Sequence, residues 1–227
     1  MKRGKKITES RSKVNKAELY SIPDAVQLMK GTKFAKFNET VEITIKLIHK
    51  SYQNIRGTLV LPFGTGKEKK VLVICKGDKQ KEALEAGADF VGAEDVIEKI
   101  KEGWLDFQAV VATPQMMKEV GKIGPILGKK GLMPKPKAGT VTDDVRNIVK
   151  ELKGGRIEYK SDKTGVVHMG IGKIVFDDNM LVENIKAFYN QVVKDKPSDA
   201  KGNYIKSVHV CSTMGPGIKI NHKGIDK

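Results

Sequence analysis

The chain has 227 residues, 39% of them apolar, which allows two small cored domains and argues against disorder throughout. Lys and Arg number 42 against 27 acids, a formal net charge of +15. Self-repulsion on that scale calls for a polyanionic partner, nucleic acid first and anionic membrane second. No apolar run approaches the ~20 residues of a membrane span, and the basic start Met1-Lys-Arg-Gly-Lys-Lys-Ile lacks the apolar stretch of a secretory signal. Cys75 and Cys211 lack Cys-x-x-Cys spacing. They read as small buried hydrophobes in a reducing, cytoplasmic setting, and no metal site is expected.

The first 16 residues carry Lys2, Arg3, Lys5, Lys6, Arg11, Lys13 and Lys16 against Glu9 alone, the pattern of a tail that is unstructured until it meets polyanion. Residues 22–29 predict a short helix, with Pro23 in its first turn and Gly31 closing it. Val41, Ile43, Ile45 and Leu47 then alternate with Thr40, Glu42, Thr44 and Lys46. Period two predicts a strand with one buried face and one open polar face. Residues 57–62 form a second strand, stopped by Pro62.

Composition shifts at 63–70, a Gly- and Lys-rich linker. Apolar strands at 71–75, 88–91 and 107–112 then alternate with helices at 78–86, 94–102 and 114–120, followed by a helix at 142–153. Continuous apolar strands between helices imply a parallel sheet covered on both faces. Beyond Gly154-Gly155 the earlier style returns, with strands at 157–160 and 164–169, an amphipathic helix at 179–194 and an alternating strand at 204–211.

The economical assembly mixes α/β and α+β. A discontinuous outer domain of split βαβ type, residues 1–66 and 156–227, would carry an inserted Rossmann-like parallel α/β domain, residues 67–155. The two Gly-rich crossings would form its hinge.

Signs of catalysis are weak. Gly64-Thr-Gly-Lys67 and Gly170-Ile-Gly-Lys173 lack the spacing of a phosphate loop. The pairs Asp143-Asp144 and Asp177-Asp178 sit where helices should begin, so capping explains them. His49, His168, His209 and His222 fall in separate segments, and Trp104 reads as core. Two stretches stand out. From Lys122 to Lys137 the chain holds Lys122, Lys129, Lys130, Lys135 and Lys137 with no acid, spaced by Gly and Pro and interrupted by Ile123, Ile126, Leu127, Leu132 and Met133. That is an ordered, turned loop whose lysines could neutralise phosphates. The other is Cys211-Ser-Thr-Met-Gly-Pro-Gly217 at the end of the last strand, where a hydroxyl beside a thioether suits a ribose or a base.

With Lys36-Phe-Asn-Glu-Thr-Val-Glu42, Gly121-Lys-Ile-Gly-Pro-Ile-Leu-Gly128, Gly131-Leu-Met-Pro134 and Ser212-Thr-Met-Gly-Pro-Gly217 in this order, nearly the whole chain resembles the L-one family of large-subunit ribosomal proteins in its bacterial form. The resemblance implies a structural protein, not an enzyme, with no cofactor, cytoplasmic and ribosome-bound. It implies that the outer domain grips large-subunit rRNA in the mobile side stalk beside the tRNA exit site and assists release of deacylated tRNA. It further implies a translational repressor that binds an rRNA-like fold in its own mRNA leader, and a free form that is a monomer without membrane attachment.

Carried over by residue, the RNA contacts are Lys36, Phe37, Thr40 and Glu42 at the edge of the first strand. Asp162, Lys163 and Thr164 follow in the turn before the middle strand, with Ser207, Thr213, Met214 and Gly215 on or after the last. Alternation adds His168, on the same side as Thr164. Lys122, Lys129, Lys130, Lys135 and Lys137 are secondary RNA contacts. Glu42 repels phosphate, so its place on such a face makes sense as an acceptor for base N–H or 2′-OH groups. Lys129-Lys130 stands where the family pattern leads one to expect Pro-Arg, and Lys135 replaces a commoner Asn; charge is kept but a planar bidentate donor is not. The alternative reading is a nucleic-acid enzyme or nucleotide-binding protein using the inserted α/β domain, at the carboxyl ends of its strands.

Overall fold

The computed structural model describes residues 4–48, 55–197 and 202–222; Lys2, Arg3 and His49 lie outside them. The chain divides into two compact units, Met1–Gly66 with Ile157–Lys227, and Lys67–Arg156.

The first unit opens with a correction. Part of the basic N-terminal segment, expected to be unstructured, is helix α1 (Lys5–Ser12). Two anchors explain its order: the buried Ser10 hydroxyl donates to the Thr32 carbonyl at 2.8 Å, and Val14 joins the core. Helix α2 (Ile22–Gly31) starts at Ser21, whose hydroxyl accepts from the Asp24 N–H, and buries Ile22, Ala25, Val26 and Met29. Strands β1 (Thr40–Leu47) and β2 (Arg56–Val60) follow.

The inserted unit runs β3 (Val71–Ile74), α3 (Lys79–Glu85), β4 (Phe90–Gly92), α4 (Glu94–Lys101), β5 (Ala109–Ala112), α5 (Met117–Lys122), α6 (Gly124–Lys129) and α7 (Val145–Lys153). Its sheet is parallel, in the order β4-β3-β5. All of β3 is buried because both faces are covered. Leu72 and Ile74 pack with Ile100, Val120 and Leu127, while Val71 and Val73 pack with Ala83, Val145 and Val149. Asp144 caps α7 by accepting from the Asn147 N–H, and Trp104 sits between Phe90 and Phe107 at ring-centroid distances of 4.8 and 5.3 Å.

The chain then completes the first unit with β6 (Arg156–Lys160), β7 (Val166–Lys173), α8 (Asp178–Lys194), β8 (Ile205–Ser212) and β9 (Ile218–Ile220). These build a four-stranded sheet in the order β7-β1-β8-β9, with neighbours antiparallel, beside a small β2-β6 pair. Strand β1 is interior, flanked by β7 and β8. Both α2 and α8 lie on one face of the larger sheet: Ala25, Val26 and Met29, with Leu181, Ile185 and Phe188, share a core with Val41, Ile43, Ile45 and Leu47. Buried Asn184 is fully used there. Its amide nitrogen donates to the carbonyls of Ile171 (2.8 Å) and Gly64 (3.1 Å), and its oxygen accepts from Phe63 N–H (3.2 Å). Gly170 to Lys173 lies inside β7, so that Gly-x-Gly-Lys is strand and not a phosphate loop.

Candidate RNA-binding surface

With the helices on one face, alternation turns the polar residues of the sheet to the other. On β1 these are Thr40, Glu42, Thr44 and Lys46, partly or fully exposed while their neighbours are buried. On β8 they are Ser207, His209 and Cys211, between the buried Val208, Val210 and Ser212. On β7 His168 is exposed opposite Thr44, its Nδ1 3.1 Å from the threonine hydroxyl.

At one end of this face the start of β1 is tied to the turn after β8. The Thr213 N–H donates to the Thr40 carbonyl at 3.1 Å, and the Thr213 hydroxyl accepts from the Thr40 N–H at 3.0 Å. Lys173 reaches the Thr40 hydroxyl at 3.0 Å. Gly215 N–H closes the turn on the Ser212 carbonyl at 3.0 Å. Gly215 is required by close approach, since a Cβ there would stand 2.5 Å from the Ser212 hydroxyl. Two apolar side chains stay uncovered: Phe37 is 52% exposed and Met214 48%. A flat ring and a thioether beside a polar face are groups that can pack on a base or ribose. Lys36 is exposed next to Phe37.

Sequence reasoning missed Glu39, which is fully buried at this end. One carboxylate oxygen accepts from the Met214 N–H at 3.0 Å. The other, like the Ser212 hydroxyl, is buried with no hydrogen-bond partner among the described residues. A glutamate between Asn38 and Thr40 reads as surface charge, and only the register of distant segments reveals its burial.

At the opposite end Asp162 builds its own turn. Its carboxylate accepts from the N–H groups of Thr164 (2.9 Å) and Val166 (2.7 Å) and from the Thr164 hydroxyl (2.7 Å). These bonds, led by that from Val166, hold its carboxyl below the ordinary value. Gly165 closes the turn at φ +75°, and Lys46 donates to the Thr164 carbonyl. Thus Lys163 and Thr164 are presented while Asp162 is occupied in presenting them. Ser207 lies opposite Lys46, at this same end.

The remaining lysines belong to the inserted unit. Lys122 ends α5 and pairs with Glu119 at 2.7 Å; Lys129 and Lys130 are exposed at the end of α6, and Lys135 precedes a short 3-10 turn (Pro136–Ala138) that contains Lys137. The stretch expected as a loop contains a helix. Pro125 suits its first turn, and Ile123 and Leu127 are fully buried anchors. Among the described residues no group of His, Cys, Asp and Glu could hold a metal ion, and no helix is long and apolar enough to cross a membrane.

Residues 29–216 match the model of the ribosomal protein L1p/L10e family. The chain belongs to this family. It is similar to the large ribosomal subunit protein uL1 of Leptospira biflexa serovar Patoc, at 61% identity over 98% of this chain and 97% of the relative. It is also similar to the large ribosomal subunit protein uL1 of Treponema denticola, at 50% identity over 98% and 99%. As an L1p/L10e member the chain is a ribosomal protein, structural and not an enzyme, ribosome-bound in the cytoplasm.

Proposed function

We propose that the chain binds large-subunit rRNA through the helix-free face of its four-stranded sheet. The observation that carries this is the tied end of that face. Thr40 and Thr213 lock each other through backbone and hydroxyl bonds, with Phe37 and Met214 exposed beside them. A rigid patch of hydroxyls, a carboxylate and uncovered apolar groups suits ribose and base edges, whereas a surface meant only for phosphates would be lysine throughout. The naming of the Leptospira and Treponema relatives for the large subunit supports the choice of RNA.

The contact set is Lys36, Phe37, Thr40, Glu42, Lys163, Thr164, His168, Ser207, Thr213, Met214 and Gly215, with Asp162 shaping its turn. Lys122, Lys129, Lys130, Lys135 and Lys137 of the inserted unit add sequence-independent attraction to rRNA or to exit-site tRNA. In this reading the protein, a monomer before it binds, organises the mobile side stalk next to the exit site and assists departure of deacylated tRNA. The same face binds an rRNA-like fold in its own mRNA leader and represses translation. Competition tests the shared face: unlabelled leader RNA displaces a labelled side-stalk rRNA fragment from the purified protein. Simultaneous binding of both RNAs to one chain would refute it.

A further inference from the structure

The residues assigned above cluster at the two ends of one sheet face and leave its middle to Glu42 and His168, with their cross-strand neighbours unassigned. Thr213 and Ser207 are six residues apart along one strand direction, about 20 Å at the rise of an antiparallel strand. Between them the register sets a row directly across all four strands: His168 on β7, Thr44 on β1, His209 on β8 and Lys219 on β9. The next row toward Thr213 pairs Glu42 with Cys211 on β8 and Gly170 on β7. Cys211 therefore faces the open side, partly exposed, whereas Cys75, just after β3, is fully buried.

Resting on the RNA reading above, we propose that bound RNA runs along this face from the Thr213 turn to the Asp162 turn. Thr44, His209 and Cys211 are then contact residues beneath its middle. A single RNA fold that touches both ends must cross these rows, because both ends lie on the same side of one sheet and the helices occupy the other. The chemistry fits the crossing. His168 and His209 flank Thr44 and offer two flat rings for ribose or base stacking, and Lys219 closes the row with a phosphate partner. Burial and the adjacent Lys219 ammonium hold His209 below the ordinary imidazole value, which favours its neutral, stacking form. Gly170 leaves room beside Glu42, with only the Thr40 methyl near the position a Cβ would take, at 3.2 Å.

Cys211 makes the path measurable in the full-length protein. Alkylation by iodoacetamide is followed at each cysteine by mass spectrometry, with a side-stalk rRNA fragment, with a scrambled RNA, and without RNA; a mobility shift on the same samples reports binding. Cys75 serves as the unreactive internal reference. The proposal predicts at least tenfold slower modification of Cys211 with the stalk fragment and little change with the scrambled one. An unchanged rate in samples where the fragment is bound overturns this path and leaves the RNA reading standing, while absence of binding overturns both. Independently, His209→Glu is expected to lower affinity for the fragment at least tenfold with its melting temperature kept. Unaltered affinity in a folded H209E protein contradicts the proposal.

Discussion

Thr40 and Thr213, 173 residues apart, hold each other at one end of the open sheet face: each backbone N–H is bonded to the other residue, at 3.0 and 3.1 Å. The Thr213 hydroxyl serves the fold here as well as any ligand, because it also donates to the Thr40 carbonyl at 3.2 Å. Thr213→Val keeps the shape but removes the hydroxyl. We expect rRNA affinity to fall by roughly 1–3 kcal/mol, the range of a specific contact, and stability to fall by about 1 kcal/mol. Met214→Asp should weaken binding by a similar 1–3 kcal/mol while leaving the melting temperature nearly unchanged, since that side chain is half exposed. Filter binding and thermal melts on both variants check the pair.

Glu39 should behave as a positioning residue. Its buried carboxylate holds the Met214 N–H, and Glu39→Gln retains an acceptor of the same shape. Glu39→Leu leaves that N–H unsatisfied, at a cost of about 1–3 kcal/mol, and frees the turn that carries Met214. The expected order of rRNA affinity is wild type, then E39Q, then E39L. An E39L protein that binds as well as wild type would remove Glu39 from the site.

The Asp162 turn predicts a pH dependence. Its folded-state carboxyl titrates below the unfolded value of about 3.9, chiefly because the Val166 N–H and then the Thr164 hydroxyl bind the charged form. The contribution is therefore present above that value and is lost as pH falls through the folded one. Melting temperatures of wild type and Asp162→Asn should differ at pH 6 and converge as pH drops well below 3.9. A difference that persists undiminished at pH 2 would show that ionisation of Asp162 does not hold the turn.

Lys129 and Lys130 are exposed at the end of α6, and their role in the proposal is charge alone. Replacing both with Gln should lower affinity for stalk and scrambled RNA by the same factor and flatten the salt dependence by about 1 to 2 in logarithmic slope. Loss confined to the stalk fragment would instead make them specific contacts.

The fold class was legible because its signals are local. The alternation of Val41, Ile43, Ile45 and Leu47 marks a half-buried strand, and the unbroken apolar run from Val71 marks a strand buried on both faces. What stayed hidden depends on distant partners. Nothing around Thr40 says that β7 and β8 will flank β1 on both sides. Lys5–Ser12 reads as a solvated tail until Ser10 meets Thr32. The three residues of β9 are too few to carry a period. The site divides in the same way. Family resemblance supplies Thr213 and Met214, but Glu39 looks like one more surface charge. His209 and Cys211 also look isolated until the register of β1 with β8 sets them beside Thr44 and Glu42.

The central claim is specific rRNA recognition by this sheet face. Its most direct test is binding of the purified protein to a side-stalk rRNA fragment and to a scrambled RNA of equal length across a salt series. The account predicts an affinity gap of roughly a thousandfold or more that persists at high salt. Similar affinities with a steep shared loss as salt rises would contradict it, leaving only the attraction of a basic protein for polyanions.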